Sequence, residues 1–197
     1  MSDQERRLTA YHESGHAVAM RFLEHHDPVQ KVTIVARGMT GGYTRPLPTE
    51  DRHYLTRSQF QAMLASALGG HASEQVVFGE ISTGAENDIE KATTIARKMV
   101  TQFGMTDRLG TVALGEDAKY SQKTAEIIDA EVRRLIDEGY ARAVRIITEH
   151  RDALDRLAAA LLEYETLDGD NLERALSGDL RGSNAPVRLR TALESAA

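Results

Sequence analysis

The chain has 197 residues, 41% of them hydrophobic and 27% charged, which is enough for one compact domain, or a domain with a small appendage, built on its own core. It has no cysteine, which excludes disulfides, thiol nucleophiles, Cys-type zinc fingers and iron–sulfur ligation, so any transition metal must be held by His, Asp or Glu. With 30 acids against 24 Lys and Arg, net charge -6 and no long apolar run, the chain carries no basic footprint for nucleic acid and no transmembrane or signal segment, and it reads as soluble.

From Gln4 to Glu24 the spacing of Leu8, Tyr11, Gly15, Val18, Ala19, Phe22 and Leu23 predicts an amphipathic helix. Lys31 to Ala36 is β-branched and alternating, and three glycines between Arg37 and Gly42 lead into a second strand over Tyr43 to Leu47. Pro46 and Pro48 confine that strand to an edge, where it could also accept an extended peptide. Thr56 and Gln59 have capping-box spacing, and Phe60, Met63, Leu64, Ala67, Leu68, His71, Glu74 and Phe78 follow as one helical stripe. Gly69 and Gly70 lie inside it, which predicts close approach of another backbone rather than a loop. Ser82 to Gly84 start a helix whose apolar face runs from Ile89 to Phe103, with Asp88 at its edge. After a glycine-containing connection over Gly104 to Asp117, in which Thr111 to Leu114 could be a strand, the chain reads as a long helix, a second one and a short closing helix near Asn171 to Leu176. The expected domain is 1–176, with 177–197 a disordered or linker-like tail.

The chemistry concentrates at His12, Glu13, Ser14, Gly15 and His16, an H-E-x-x-H motif inside a predicted helix. Residues four apart share one helical face, so both imidazoles can reach one metal ion while Glu13 serves a bound water as general base. Two ordinary core histidines would also lie on such a face, but the pair together with Glu13 favours a zinc site. A catalytic zinc needs a third protein ligand, and no third His follows at the spacing some zinc peptidases use. Glu74 and Asp88 each sit on or beside an otherwise apolar stripe, where an unpaired charge is costly, and periodicity does not choose between them. For a lone carboxylate, a buried salt bridge with Arg or Lys, or simple exposure at the edge of the stripe, is a commoner explanation than ligation. His71 reads as a packing or capping residue.

Leu8 to Ala17 (LTAYHESGHA) resembles the peptidase domain of FtsH-type AAA proteases. So do His26 to Ile34, Gly41 to Thr44 with Leu47 and Pro48, Ser82 to Asp88, Met99 to Met105, and Tyr164 to Thr166, in the same order. The resemblance covers roughly Leu8 to Leu176. It implies a mainly α, zincin-like metallopeptidase domain with a small β-hairpin or sheet, one zinc per chain held by His12, His16 and Asp88, Glu13 as catalytic base, and Glu74 orienting a ligand histidine. The oxyanion would lean on zinc itself; no side-chain stabiliser is assigned, and nothing in the sequence selects Tyr43 or His71 for that role. Gln75 and Ser14 depart from the family's usual residues without touching a ligand or the base. The G-x-x-x-x-G-K-[ST] phosphate loop of the family's ATPase part is missing, so no ATP site is expected in this chain.

The expected function is zinc-dependent endopeptidase action on unfolded or extended polypeptide. The resemblance adds a homo-oligomer, a hexameric ring, with a separate or detached AAA ATPase as partner. The expected location is cytoplasmic, or membrane-tethered on the cytoplasmic side if the domain was excised from a longer protease. The alternative is a non-catalytic zinc-stabilised assembly or partner-binding module, against which Glu13 argues, because a structural site needs no base beside an open coordination position.

Overall fold

A computed structural model describes residues 1–35, 41–48, 53–115 and 118–180. Helix α1 (Asp3–Phe22) opens on a capping box in which Ser2 Oγ accepts the Glu5 N–H and the Glu5 carboxylate accepts the Ser2 N–H. Strands β1 (Val29–Thr33) and β2 (Tyr43–Pro46) pair antiparallel, and β3 (Thr166–Asp168) adds to the far side of β1, giving the order β2-β1-β3. Val32 is completely buried at the centre of this sheet, opposite Thr44 on one side and Leu167 on the other. β2 lies at the edge, as its prolines require. β1 begins two residues before the alternation suggests and ends at Thr33: the Ile34 N–H still donates across to the Glu165 carbonyl, 2.9 Å away, but Glu165 stands at φ 62°, outside the extended region, so the pairing goes no further. Ala36, and most of the glycine connection after it, lie outside the described residues. Strand β3 is too short, at three residues, to leave a periodic signal.

The helical stripe from Phe60 to Phe78 is not continuous. It divides into α2 (Arg57–Ala67), capped by Thr56 and Gln59 as the spacing predicts, and α3 (Gly69–Phe78), with Leu68 between them at φ -90° and ψ 2°. The break turns Gly69 and Gly70 toward α1. A Cβ added to Gly15 would lie 2.4 Å from the Gly69 carbonyl oxygen and 2.5 Å from Ser73 Cβ, and one added to Gly69 would lie 2.7 Å from the Gly15 oxygen. The two helices thus meet backbone to backbone, and Ser73 Oγ secures the contact by donating to the Tyr11 carbonyl at 2.7 Å.

A single 3₁₀ turn over Thr83–Ala85 leads into α4 (Glu86–Thr101). Thr111 to Leu114 is not a strand; the Leu114 N–H instead donates to the Thr101 carbonyl, satisfying an acceptor at the end of α4. Helices α5 (Gln122–Glu149), α6 (Arg151–Tyr164) and α7 (Gly169–Ser177) complete the described chain. Gly178 ends α7 at φ 92°, and the tail from residue 181 lies outside the described residues. One apolar cluster joins α1, α6, α7 and the sheet through residues such as Val18, Leu154, Leu157, Leu161 and Leu172. A second joins α2, α4 and α5 through Leu64, Met99, Val100 and Ile128. Each fully buried leucine contributes about 1.5–3 kcal/mol relative to exposure. The architecture is mainly helical with a small sheet, as expected. No helix among the described residues is long and apolar enough to cross a membrane.

Two neighbouring positions on α1 have opposite expected responses. Ser14 is fully buried and its hydroxyl has no partner among the described residues, so Ser14→Ala is expected to stabilise the chain by about 1 kcal/mol. Gly15→Ala forces α1 and α3 apart and is expected to cost about 1–3 kcal/mol. Urea unfolding of the metal-free variants measures both.

Candidate metal centre

His12, Glu13 and His16 lie at mid-length on α1, where the helix is pressed against α3 and only 6–8% of each residue is exposed. Asp88 comes from the first turn of α4. His12 Nε2, His16 Nε2 and Asp88 Oδ2 form a triangle with all three sides 3.1 Å. That is close to the spacing of neighbouring donors around one tetrahedral ion with bonds of about 2.0–2.1 Å, so the donor set fits zinc. Gly70 lies directly beneath: an added Cβ would stand 2.6 Å from both Nε2 atoms.

The other ring nitrogens have fixed partners. His12 Nδ1 donates to Glu74 Oε1 at 2.7 Å, and His16 Nδ1 donates to the Ser66 carbonyl at 2.8 Å. Glu74 is in turn held by the Ser82 N–H at 2.6 Å and the Ser82 hydroxyl at 3.1 Å. Ser66 has its own support, its Oγ lying 2.8 Å from His26 Nε2. With both Nδ1 atoms donating, neutral rings would aim two Nε2 lone pairs at each other and at a carboxylate oxygen. The arrangement therefore calls for positive charge at its centre, either a proton or a metal ion.

The proton affinities express the same demand. Burial works against a charged His12, but hydrogen bonds to Asp88 and Glu74 and the nearby Glu13 charge outweigh it and push its pKa up to about 10. Burial likewise opposes ionised Asp88 and Glu74, yet hydrogen bonds with the imidazoles hold Asp88 well below the usual carboxylate range, and those from His12 and Ser82 lower Glu74.

Glu13 meets the sheet, where the Thr44 hydroxyl reaches its Oε2 at 2.8 Å. The structure thus brings His12, His16 and Asp88 together, places Glu74 behind His12, and sets Glu13 beside β2. His71 packs edge-on against Tyr140, with ring centroids 5.1 Å apart, in the packing role its position suggested. Sequence reasoning missed Thr44, Ser66 and Ser82 as supports. Thr44 and Ser82 fall inside the resembling segments but carry no charge to single them out, and Ser66 acts toward His16 through a backbone carbonyl that no side chain announces.

A profile of peptidase family M41 matches residues 1–175. The chain belongs to peptidase family M41. Among its relatives, the ATP-dependent zinc metalloprotease FtsH 1 of Thermomicrobium roseum is 52% identical over 186 residues, covering 88% of this chain and 28% of that protein. The FtsH 2 protein of Alkaliphilus metalliredigens, with the same description, is 44% identical over 193 residues, 91% of this chain and 28% of its own length. The FtsH of Rubrobacter xylanophilus is 46% identical over 187 residues, 88% of this chain and 29% of its own. The chain spans under a third of the length of these relatives. Membership bears out the resemblance to the peptidase domain of FtsH-type proteases.

The raised pKa of His12 sets a pH dependence for the metal-free chain. Between the unfolded value near 6.5 and the folded value of about 10 the folded state holds the extra proton, so the stabilisation is fully present below 6.5 and is lost as pH rises through about 10. Urea unfolding of chelator-treated protein from pH 6.5 to 10.5 is expected to show this decline, and His12→Gln to remove it.

Proposed function

We propose that this chain is a zinc-dependent endopeptidase domain acting on unfolded or extended polypeptide, with one zinc held by His12, His16 and Asp88 and with Glu13 as general base. The observation that carries this reading is the triangle of two imidazole nitrogens and one carboxylate oxygen beside a buried glutamate on the same helix. Three converging donors among the described residues leave a fourth position for water, the pattern of a catalytic rather than a structural zinc centre. The mixed imidazole and carboxylate set suits zinc, and the relatives are named zinc metalloproteases.

When bound, zinc supplies Lewis acidity, lowering the pKa of a water to about 7 and drawing electron density from a peptide carbonyl. Glu74 and the Ser66 carbonyl keep His12 and His16 in the Nδ1–H tautomer and fix the ring planes. Glu13 takes a proton from the attacking water and returns it to the departing amine as the C–N bond breaks. An extended substrate would lie along the edge strand β2, whose outer side has no ladder partner among the described residues. The resemblance extends the proposal to a hexameric ring that receives chains from an AAA ATPase on the cytoplasmic side of a membrane.

Glu13→Gln is expected to lower cleavage of a fluorogenic unfolded protein, measured without ATP, by about 100-fold or more while zinc content stays unchanged. Equal cleavage by both proteins would point to a contaminating protease and remove the support for Glu13. Zinc competition with a chromophoric chelator separates the carboxylates: Asp88→Asn is expected to lose the metal, whereas Glu74→Gln weakens it by about 10–100-fold.

A further inference from the structure

Helical geometry fixes where the Glu13 Cβ points but not which carboxylate oxygen meets a water, because the terminal torsion of a glutamate is soft and roughly two-fold. Something outside α1 has to set it. The Glu13 side chain is buried, and a buried carboxylate needs donors. Among the described residues that donor is Thr44, whose Oγ1 lies 2.8 Å from Glu13 Oε2 and 3.1 Å from the carbonyl oxygen of the same residue. The hydroxyl has one proton, and the shorter bond to the ionised oxygen is the stronger of the two.

The opposite side of the carboxylate is bounded by Gly42. A Cβ there would stand 3.0 Å from both Cγ and Oε1 of Glu13 and 2.5 Å from the Thr33 carbonyl oxygen, so only a glycine lets the strand approach this closely. Thr44 is itself held in register, since its partner Val32 is buried at the centre of the three-stranded sheet. Resting on the reading of Glu13 as the base, we infer that Thr44 is its positioning residue: the hydroxyl occupies Oε2 and leaves Oε1, against Gly42, as the oxygen that takes and returns the proton. The edge strand thereby aims the base.

Thr44→Val keeps the β-branched shape and removes the donor; Thr44→Ser restores the donor without the methyl. Both are compared with wild type for zinc content, for kcat and KM on an unfolded fluorogenic substrate, and for the calorimetric Kd of a peptide hydroxamate, which gives its proton to the base on binding without turnover. Thr44→Val is expected to lower kcat by about 10–100-fold and weaken the hydroxamate about 10-fold, with KM within about two-fold and zinc unchanged, and Thr44→Ser to recover most of both. The inference is overturned if Thr44→Val matches wild type, if it changes only KM or loses zinc, or if Thr44→Ser is as impaired as Thr44→Val. If turnover of the isolated chain is too slow to measure, the hydroxamate affinities decide by the same criteria. Glu13→Gln in the same assays keeps two failures apart. Should it retain wild-type turnover and hydroxamate affinity, the assignment of the base falls; should it lose them while Thr44→Val does not, only the role of Thr44 falls.

Discussion

The contact between Gly15 on α1 and Gly69 on α3 sets the spacing from which the other contacts of the site follow. Two helices packed through ordinary side chains stand about 8–10 Å apart; where both contribute a glycine, the backbones themselves touch. That close approach brings Gly70 under the two imidazoles, Ser73 to the Tyr11 carbonyl and Glu74 to His12. The same approach requires α2 and α3 to part at Leu68, because an unbroken helix would not aim the glycines at α1 while α2 packs on α4 and α5.

The close packing has an electrostatic consequence. His12, His16, Asp88, Glu13 and Glu74 crowd ionisable groups into a space from which water is largely excluded, and each is tolerated because its hydrogen-bonding capacity is directed. Both Nδ1 atoms are committed to acceptors on α2 and α3, so both Nε2 atoms converge with Asp88 on one point. Concentrated lone pairs at that point favour a cation, and the metal-free protein meets the demand with a proton on His12. Donors held in this way have their geometry set by the protein alone, which is the condition that the proposed zinc ligation calls for.

The sheet serves the site from the other side. Three short strands would be marginal alone, but Val32 and Leu167 bury into the main core and fix the register. The register in turn delivers Thr44 to Glu13, and Gly42 permits the approach. Helix packing thus orients the imidazoles, while strand pairing orients the glutamate beside them.

Much of this was legible in the sequence wherever a periodic or motif signal is local. The 3.6-residue spacing on α1, α4, α5 and α6, the Thr56–Gln59 capping box, and the spacing of His12 and His16 all concern residues within a few turns of one another, where backbone geometry alone determines who shares a face. Glu74 and Asp88 could be recognised as misplaced charges on apolar stripes, but not told apart. Their roles depend on how α3 and α4 lie against α1, which no single-helix periodicity contains. The break at Leu68, the strand at Thr166–Asp168 and the supports from Thr44, Ser66 and Ser82 are likewise long-range consequences of packing. Local pattern is enough for a mainly helical domain with an H-E-x-x-H helix. Which carboxylate meets the imidazoles, and which hydroxyl meets the glutamate, follows from packing, because those choices are made by contacts between elements tens of residues apart.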